Sequence, residues 1–238
     1  MEPRFPLDRL PLALGVNLAL AALAWRAGSV RFSGFLAGIF LGTVIYATLD
    51  WRGFSVLAVF FLLGSVLTRW GYARKAALGA AEAKGGSRGA SNAFAKTGLP
   101  AVLAVAGWAT GEPVWSLAFT AALATGAMDT TGSEVGPLLG RRTISLKNLR
   151  PVPPGTAGAI SLEGTLAGSA AALLLGGVGI MVGLLPASGI LPVLAGALTG
   201  NGIEGILGSR RLLPHAWLNA VNLALGAAIA GVLSLLLR

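Results

Sequence analysis

Eight apolar stretches separated by polar connectors make up more than half of the chain, and nothing constrains its fold more. They run approximately 10–25, 33–49, 54–70, 99–110, 115–128, 158–184, 190–208 and 217–237. A helix needs about 20 residues to cross the hydrocarbon core of a bilayer. In lipid, only elements that satisfy their own backbone polar groups can span it. Composition points the same way: 55% of the 238 residues are hydrophobic and 11% are charged, against about a quarter charged in a soluble domain. That leaves too few charges to cover a soluble surface. The expectation is an all-α polytopic transmembrane bundle of about seven to eight helices, one integral-membrane domain over residues 1–238. Soluble enzymes are excluded.

Two stretches, 99–110 and 115–128, are short for a span. Gly111 and Pro113 mark a tight turn between them, so they form either a full hairpin or two half-length helices. The stretch 158–184 is long and glycine-rich and is a candidate for a break. Met1 to Arg9 lacks the basic start and small-residue cleavage site of a secretory signal peptide, so the first stretch is expected to be a retained helix. Gly34, Gly38 and Gly42 repeat at four-residue spacing, as do Gly164 with Gly168 and Gly196 with Gly200. Such stripes let helix backbones approach closely.

The net charge is +9, which in a soluble domain would suggest nucleic acid. Here the cations sit in connectors, so topology and anionic headgroups explain them and no nucleic-acid partner is expected. With the N-terminus outside and all eight helices crossing, the inner connectors hold most of the basic residues. They are Arg26, Arg31, Arg69, Arg74, Lys75, Lys84, Arg88, Lys96, Arg141, Arg142, Lys147, Arg150, Arg210 and Arg211, leaving Arg4, Arg9, Arg52 and Arg238 outside. This asymmetry follows the positive-inside rule and predicts a multi-pass protein of the cell (inner) membrane. Cysteine is absent, which removes disulfides and thiolate chemistry.

A carboxylate at the bilayer centre costs about 2.5–3.5 kcal/mol, so acidic residues near the helices need partners or a task. Glu2, Asp8, Asp50 and Glu112 fall outside, and Glu82 reads as a solvated loop charge. Asp129, Glu134, Glu163 and Glu204 gather toward the inner face, with Arg88, Asn92, His215, Asn219 and Asn222. Clustered carboxylates repel one another unless a cation lies between them. Oxygen ligands without cysteine and with one histidine suit Mg²⁺. Gly85 to Gly89, and Lys147 to Gly158, are glycine-rich and cationic, as phosphate sites are. Together these favour phosphoryl transfer to a membrane-embedded acceptor. There is no Walker A sequence. Each piece also has a plain structural use: Asp129 as a helix cap, Glu163 and Glu204 paired with arginines, Asn219 and Asn222 bonding between helices.

The segments Arg88-Gly89-Ala90-Ser91-Asn92, Asp129 to Gly136, and Pro154 to Gly168 resemble an integral-membrane family. Asn201, Glu204, Gly208, Trp217 to Asn219 and Asn222 complete the pattern over about residues 75–225. That family contains the phytyl-phosphate kinase of plants and cyanobacteria and human transmembrane protein 19. The resemblance implies a kinase that converts an isoprenoid monophosphate to the diphosphate with a nucleoside triphosphate such as CTP. The chain departs from the pattern at Thr131 or Gly132, at Ala157 and at Lys96. On this reading Asp129, Glu134 and Lys147 are catalytic. Asp129 and Glu134, with Glu163 or Glu204, hold Mg²⁺. Arg88, Asn92, Arg141, Thr156, Ser161, Asn201, Asn219 and Asn222 bind substrate. The nucleotide and an isoprenoid phosphate in the lipid bilayer are the expected partners.

Other classes use the same residues. A transporter or lipid flippase could bind protons or cations at Glu163 and Glu204, although the polar groups gather at one face rather than the midplane. A CDP-alcohol-type or nucleotidyl transferase would share the metal chemistry and differ in the group transferred. A structural membrane subunit leaves the acidic convergence unexplained.

Overall fold

The computed structural model describes residues 6–156, 158–210 and 214–237. Expectations that touch Glu2, Arg4, Ala157, Arg211, Arg238 and the His215 side chain lie outside the described residues. Apart from one short hairpin, the described chain is an all-α polytopic bundle, as composition requires. Its helices are α1 (Leu10–Arg26), α2 (Phe32–Arg69), α3 (Tyr72–Ala77), α4 (Ala90–Thr110), α5 (Pro113–Leu139), α6 (Leu162–Met181), α7 (Ile190–Ser209) and α8 (His215–Leu236). Strands β1 (Thr143–Ser145) and β2 (Ala159–Ser161) pair antiparallel, with Thr143 opposite Ser161. Five segments are long and apolar enough to cross a membrane: Leu7–Arg26, Phe32–Arg69, Leu162–Met181, Ala187–Ser209 and Ala216–Leu236.

The two stretches expected at 33–49 and 54–70 are one 38-residue helix broken at Asp50, whose φ of 50° and ψ of −158° leave the helical region. The Asp50 carboxylate accepts from the Arg52 amide at 2.8 Å, capping the second half. The short stretches 99–110 and 115–128 both lengthen: α4 begins at Ala90 and α5 runs on to Leu139. Their added turns carry Asn92, Lys96, Asp129 and Glu134, polar residues that hydropathy reads as the end of a span. A helix keeps its backbone bonds whatever its side chains. The pair is therefore a hairpin of two long helices. The stretch 158–184 starts as strand β2, and helix begins only at Leu162.

Helix α5 is the axis of the bundle. It packs against α2, α4, α6, α7 and α8, and every residue from Leu117 to Met128 is buried. A helix enclosed on all sides needs small residues where its neighbours cross. The glycine stripes meet this need within the chain. A Cβ at Gly168 would sit 2.8 Å from the Met128 carbonyl, one at Gly164 3.0 Å from the Gly132 carbonyl, and one at Gly200 2.9 Å from Asn222 Oδ1. Helix α1 is peripheral and buries only Ala13 and Asn17.

The described residues of the connectors at 27–31, 70–89 and 140–161 gather at one face. The Arg31 amide donates to the Arg88 carbonyl at 2.9 Å, and the Arg88 amide to that of Ser29 at 3.0 Å. A Cβ on Gly155 would meet the Ala80 Cβ at 3.0 Å, and one on Gly158 would strike the Gly205 and Ser209 backbone.

Candidate functional site

The polar run on α5 divides by helical period. Asp129, Gly132, Ser133 and Gly136, at i, i+3, i+4 and i+7, line a cavity of about 470 Å³ under the connectors. Thr130 and Glu134, at i and i+4, turn toward α2, α3 and α4. One run of sequence thus serves two polar centres.

The first centre is open. Opposite α5, the cavity is closed by Asn201, Glu204 and Gly205 of α7, by Gly164 and Thr165 of α6, and by Thr143, Thr156 and Ser161 of the hairpin region. Seven glycines line it, so much of its wall is bare backbone. Lys96 of α4 donates to Asp129 Oδ2 at 2.9 Å and to Thr130 Oγ1 at 2.7 Å. Glu204 lies within electrostatic reach of Asp129 and Lys96 and forms no hydrogen bond or ion pair among the described residues. Asn201 is tied down, donating to the carbonyls of Thr125 at 3.1 Å and Ala197 at 2.9 Å. Ser161 caps α6 by accepting from the Gly164 amide at 3.1 Å. The Thr156 hydroxyl donates to the Pro153 carbonyl at 2.7 Å.

The second centre is closed. Glu134 is 6% exposed and Lys75 is fully buried. Glu134 Oε2 pairs with Lys75 Nζ, and Oε1 accepts from Thr68 Oγ1 at 2.8 Å. The Lys75 ammonium donates also to the carbonyls of Leu67 at 2.8 Å and Thr68 at 3.0 Å, which uses all three protons. Thr68 Oγ1 in turn accepts from Arg88 Nη2 at 3.0 Å. Burial pushes the Arg88 guanidinium below its ordinary pKa while the charges of Glu82 and Glu134 oppose the shift. The sequence alone presents Lys75 only as a connector cation. Its burial depends on α3 folding back against α5, which no local pattern signals.

The expected site residues therefore separate. Asp129, Ser161, Thr156, Asn201 and Glu204 share the open cavity. Glu134 stands behind it, with both carboxylate oxygens bonded. Glu163 lies on the first turn of α6, where its Oε1 accepts from the Arg141 amide at 3.3 Å. Arg141 and Lys147 are exposed in the connector, and neither lines the cavity. Asn219 and Asn222 are buried inside α8, and both polar side-chain atoms of Asn222 lack hydrogen-bond partners among the described residues. Arg88 and Asn92 line a different cavity, beside α1 and α2. Of the carboxylates expected around a metal, Asp129 and Glu204 line the cavity and Glu134 and Glu163 do not; among the described residues no three His, Asp or Glu side chains form a metal-holding group.

Two carboxylates facing each other with free oxygens still suit a divalent cation. Mg²⁺ is commonly held by one or two carboxylates with water and substrate phosphate. Asp129 keeps Oδ1, and Glu204 keeps both oxygens. No Lys or Arg lines this cavity among the described residues, so a polyphosphate bound there needs a cation as its counter-charge.

Helices of this length around such a cavity define a polytopic membrane protein with a polar, carboxylate-bearing chamber at one face. More particularly, the chain belongs to the DUF92 integral membrane protein family, whose model matches residues 15–211. This bears out the family resemblance carried by the motifs at Arg88, Asp129 and Glu163. The chain is 39% identical over 222 residues to the membrane protein sll0875 of Synechocystis sp., covering 90% of this chain and 85% of that one. It is 32% identical over 211 residues to the chloroplastic protein VTE6 of Arabidopsis thaliana, covering 83% of this chain and 63% of VTE6. With the membrane protein MJ0933 of Methanocaldococcus jannaschii it shares 27% identity over 238 residues, covering 95% of this chain and 94% of that one. No solved structure matches it.

Proposed function

We propose that the protein is a membrane phosphotransferase. It moves the terminal phosphoryl group of a nucleoside triphosphate, CTP by the family resemblance, onto an isoprenoid monophosphate of the phytyl or geranylgeranyl type. The observation that carries this reading is the open cavity: Asp129 facing Glu204, glycine backbone around them, and Lys96 held against Asp129. The family match and kinship to VTE6 support an activity of the prenyl-phosphate-kinase kind.

An acceptor phosphate oxygen attacks the terminal phosphorus, the bond to the bridging oxygen breaks, and the nucleoside diphosphate leaves with the electron pair. A phosphate monoester is largely ionised near neutral pH, since its second pKa is about 6, so no strong general base is needed. The protein's work is positioning and charge neutralisation. Lys96 fixes the orientation of Asp129, and Ser133, Thr165 and Asn201 bound the donor space. Mg²⁺ held by Asp129 and Glu204 would supply counter-charge for the donor phosphates. The reading places the N-terminus outside the cell (inner) membrane and the cavity on the cytoplasmic side, as the connector cations favour.

The test is phosphoryl transfer by the purified, detergent-solubilised protein with Mg²⁺, terminally labelled CTP or ATP, and phytyl or geranylgeranyl monophosphate. Labelled diphosphate that disappears in Asp129→Ala is the expected result. Transfer of label from α-labelled donor and not from terminally labelled donor would make the protein a nucleotidyl transferase. No turnover with any donor, together with ion or lipid movement in liposomes, would make it a transporter.

A further inference from the structure

A second cavity, of about 510 Å³, lies between α1, both halves of α2 and the start of α4. Its volume is within the roughly 300–1,000 Å³ usual for small-molecule sites. From Gly34 to Gly42 it follows α2 for about 12 Å, given the 1.5 Å rise per residue. Its deep walls are apolar, with Leu20, Leu41, Phe54 and Phe61 among them. Its end beneath the connectors carries Arg69, Arg88, Asn92 and Lys96. An apolar pocket with a cationic end fits an amphiphile whose chain is hydrocarbon and whose head is anionic.

Three further observations narrow the occupant. Ser65 Oγ is buried on this cavity without a hydrogen-bond partner, a donor left for an acceptor the protein does not provide. Lys96 lines this cavity, while the Asp129 it pairs with lines the other. The two chambers therefore meet at a single ion pair. Arg88 is held from both sides: its backbone is clamped between Ser29 and Arg31, and its guanidinium rests on Thr68 Oγ1, itself fixed by Glu134. The closed polar centre thus positions Arg88.

We infer that this second cavity is the acceptor chamber, holding a single-chain isoprenoid monophosphate with its phosphate at Arg88, Asn92 and Lys96 and its hydrocarbon along Gly38. The identity of the amphiphile rests on the proposed phosphotransfer; the chamber and its charge do not. Donor and acceptor then enter separate chambers and meet at Lys96 and Asp129.

Gly38 provides the test, because a Cβ there meets nothing within 4 Å. Gly38→Leu adds a side chain to the chamber wall at a position with room for its Cβ. Gly177→Leu on α6, also into open space, is the control. The full-length protein in nanodiscs is photolabelled with a diazirine-bearing isoprenoid monophosphate, and the labelled peptides are mapped. Labelling is expected within residues 10–26 and 32–69, displaced by geranylgeranyl monophosphate and not by phosphatidic acid. Gly38→Leu should lower labelling and raise the acceptor KM by about tenfold each while the donor KM is unchanged. Gly177→Leu should alter none of these. Labelling confined to α5–α8, or a Gly38→Leu protein with wild-type labelling and acceptor KM, overturns the proposal. Equal displacement by phosphatidic acid overturns it in favour of a phospholipid site. If the wild type transfers no phosphoryl group yet labels as expected, the kinase reading falls and the chamber stands.

Discussion

Asp129 and Glu134 stand little more than one turn apart on α5 and differ in what their oxygens are left to do. Glu134 has spent both, on Lys75 and Thr68, in a site closed to solvent. Asp129 has spent one, on Lys96, and faces a second carboxylate across open space. A buried ion pair with all its bonds made holds structure, and breaking it exposes an uncompensated charge. A carboxylate with a free oxygen beside a like charge is poised for a cation. Residue type alone assigns both to the same task. Their partners separate them.

That contrast can be broken by substitution. Lys75→Ala leaves Glu134 buried and unpaired and is expected to cost about 3–5 kcal/mol, read as lowered thermal stability in detergent. Lys75→Met with Glu134→Leu should recover most of the loss. An unchanged melting point in the single variant would show that the closed centre is not structural. Asp129→Asn should do the reverse, melting near wild type while phosphoryl transfer drops by about 10²–10³-fold. Parallel loss of stability and activity would erase the distinction. Glu204→Gln is expected to reduce transfer by about 10–100-fold, as for a charged contact of 1.5–3 kcal/mol, with the deficit narrowing as Mg²⁺ is raised. A deficit indifferent to Mg²⁺ would remove Glu204 from the cation site. Smallest is Ser161→Ala, which removes the α6 cap at a cost of about 1 kcal/mol. Its activity should follow its melting curve, and a larger kinetic loss would give the hydroxyl a role in the cavity.

Hydropathy exposed most of the bundle and concealed its working parts for a single reason. Helices α1, α6, α7 and α8 and both halves of α2 carry isolated polar residues such as Asn201, Glu204 and Asn222, too few to interrupt their apolar runs. The first turns of α4 and the last of α5 face the two cavities and the closed Lys75–Glu134 centre. There Asn92, Lys96, Asp129 and Glu134 interrupt the apolar run although the backbone continues helical. Three-residue strands such as Thr143–Ser145 are too short to show a two-residue alternation. The cluster of carboxylates was legible by topology, since alternation brings Asp129, Glu134, Glu163 and Glu204 toward one face. Their separation was not, because it depends on where α3 folds back and which side of α5 each residue takes. Lys75 and Lys96 were legible as charges only. Their carboxylate partners lie 59 and 33 residues away.

The kink at Asp50 has a counterpart in the other turns of its face. A single residue joins the halves of α2, and Gly111 with Glu112 joins α4 to α5. The long segments 70–89 and 140–161, with eight of the 18 lysines and arginines, lie at the opposite end of the helices. In a sealed vesicle such a chain is a one-sided object. Trypsin on the side of the long connectors meets many cleavable bonds in non-helical chain. On the other side, among the described residues, it finds Arg9 in the single turn before α1 and Arg52 wound into α2, so the digestion pattern of oriented vesicles reports directly which way the protein was inserted.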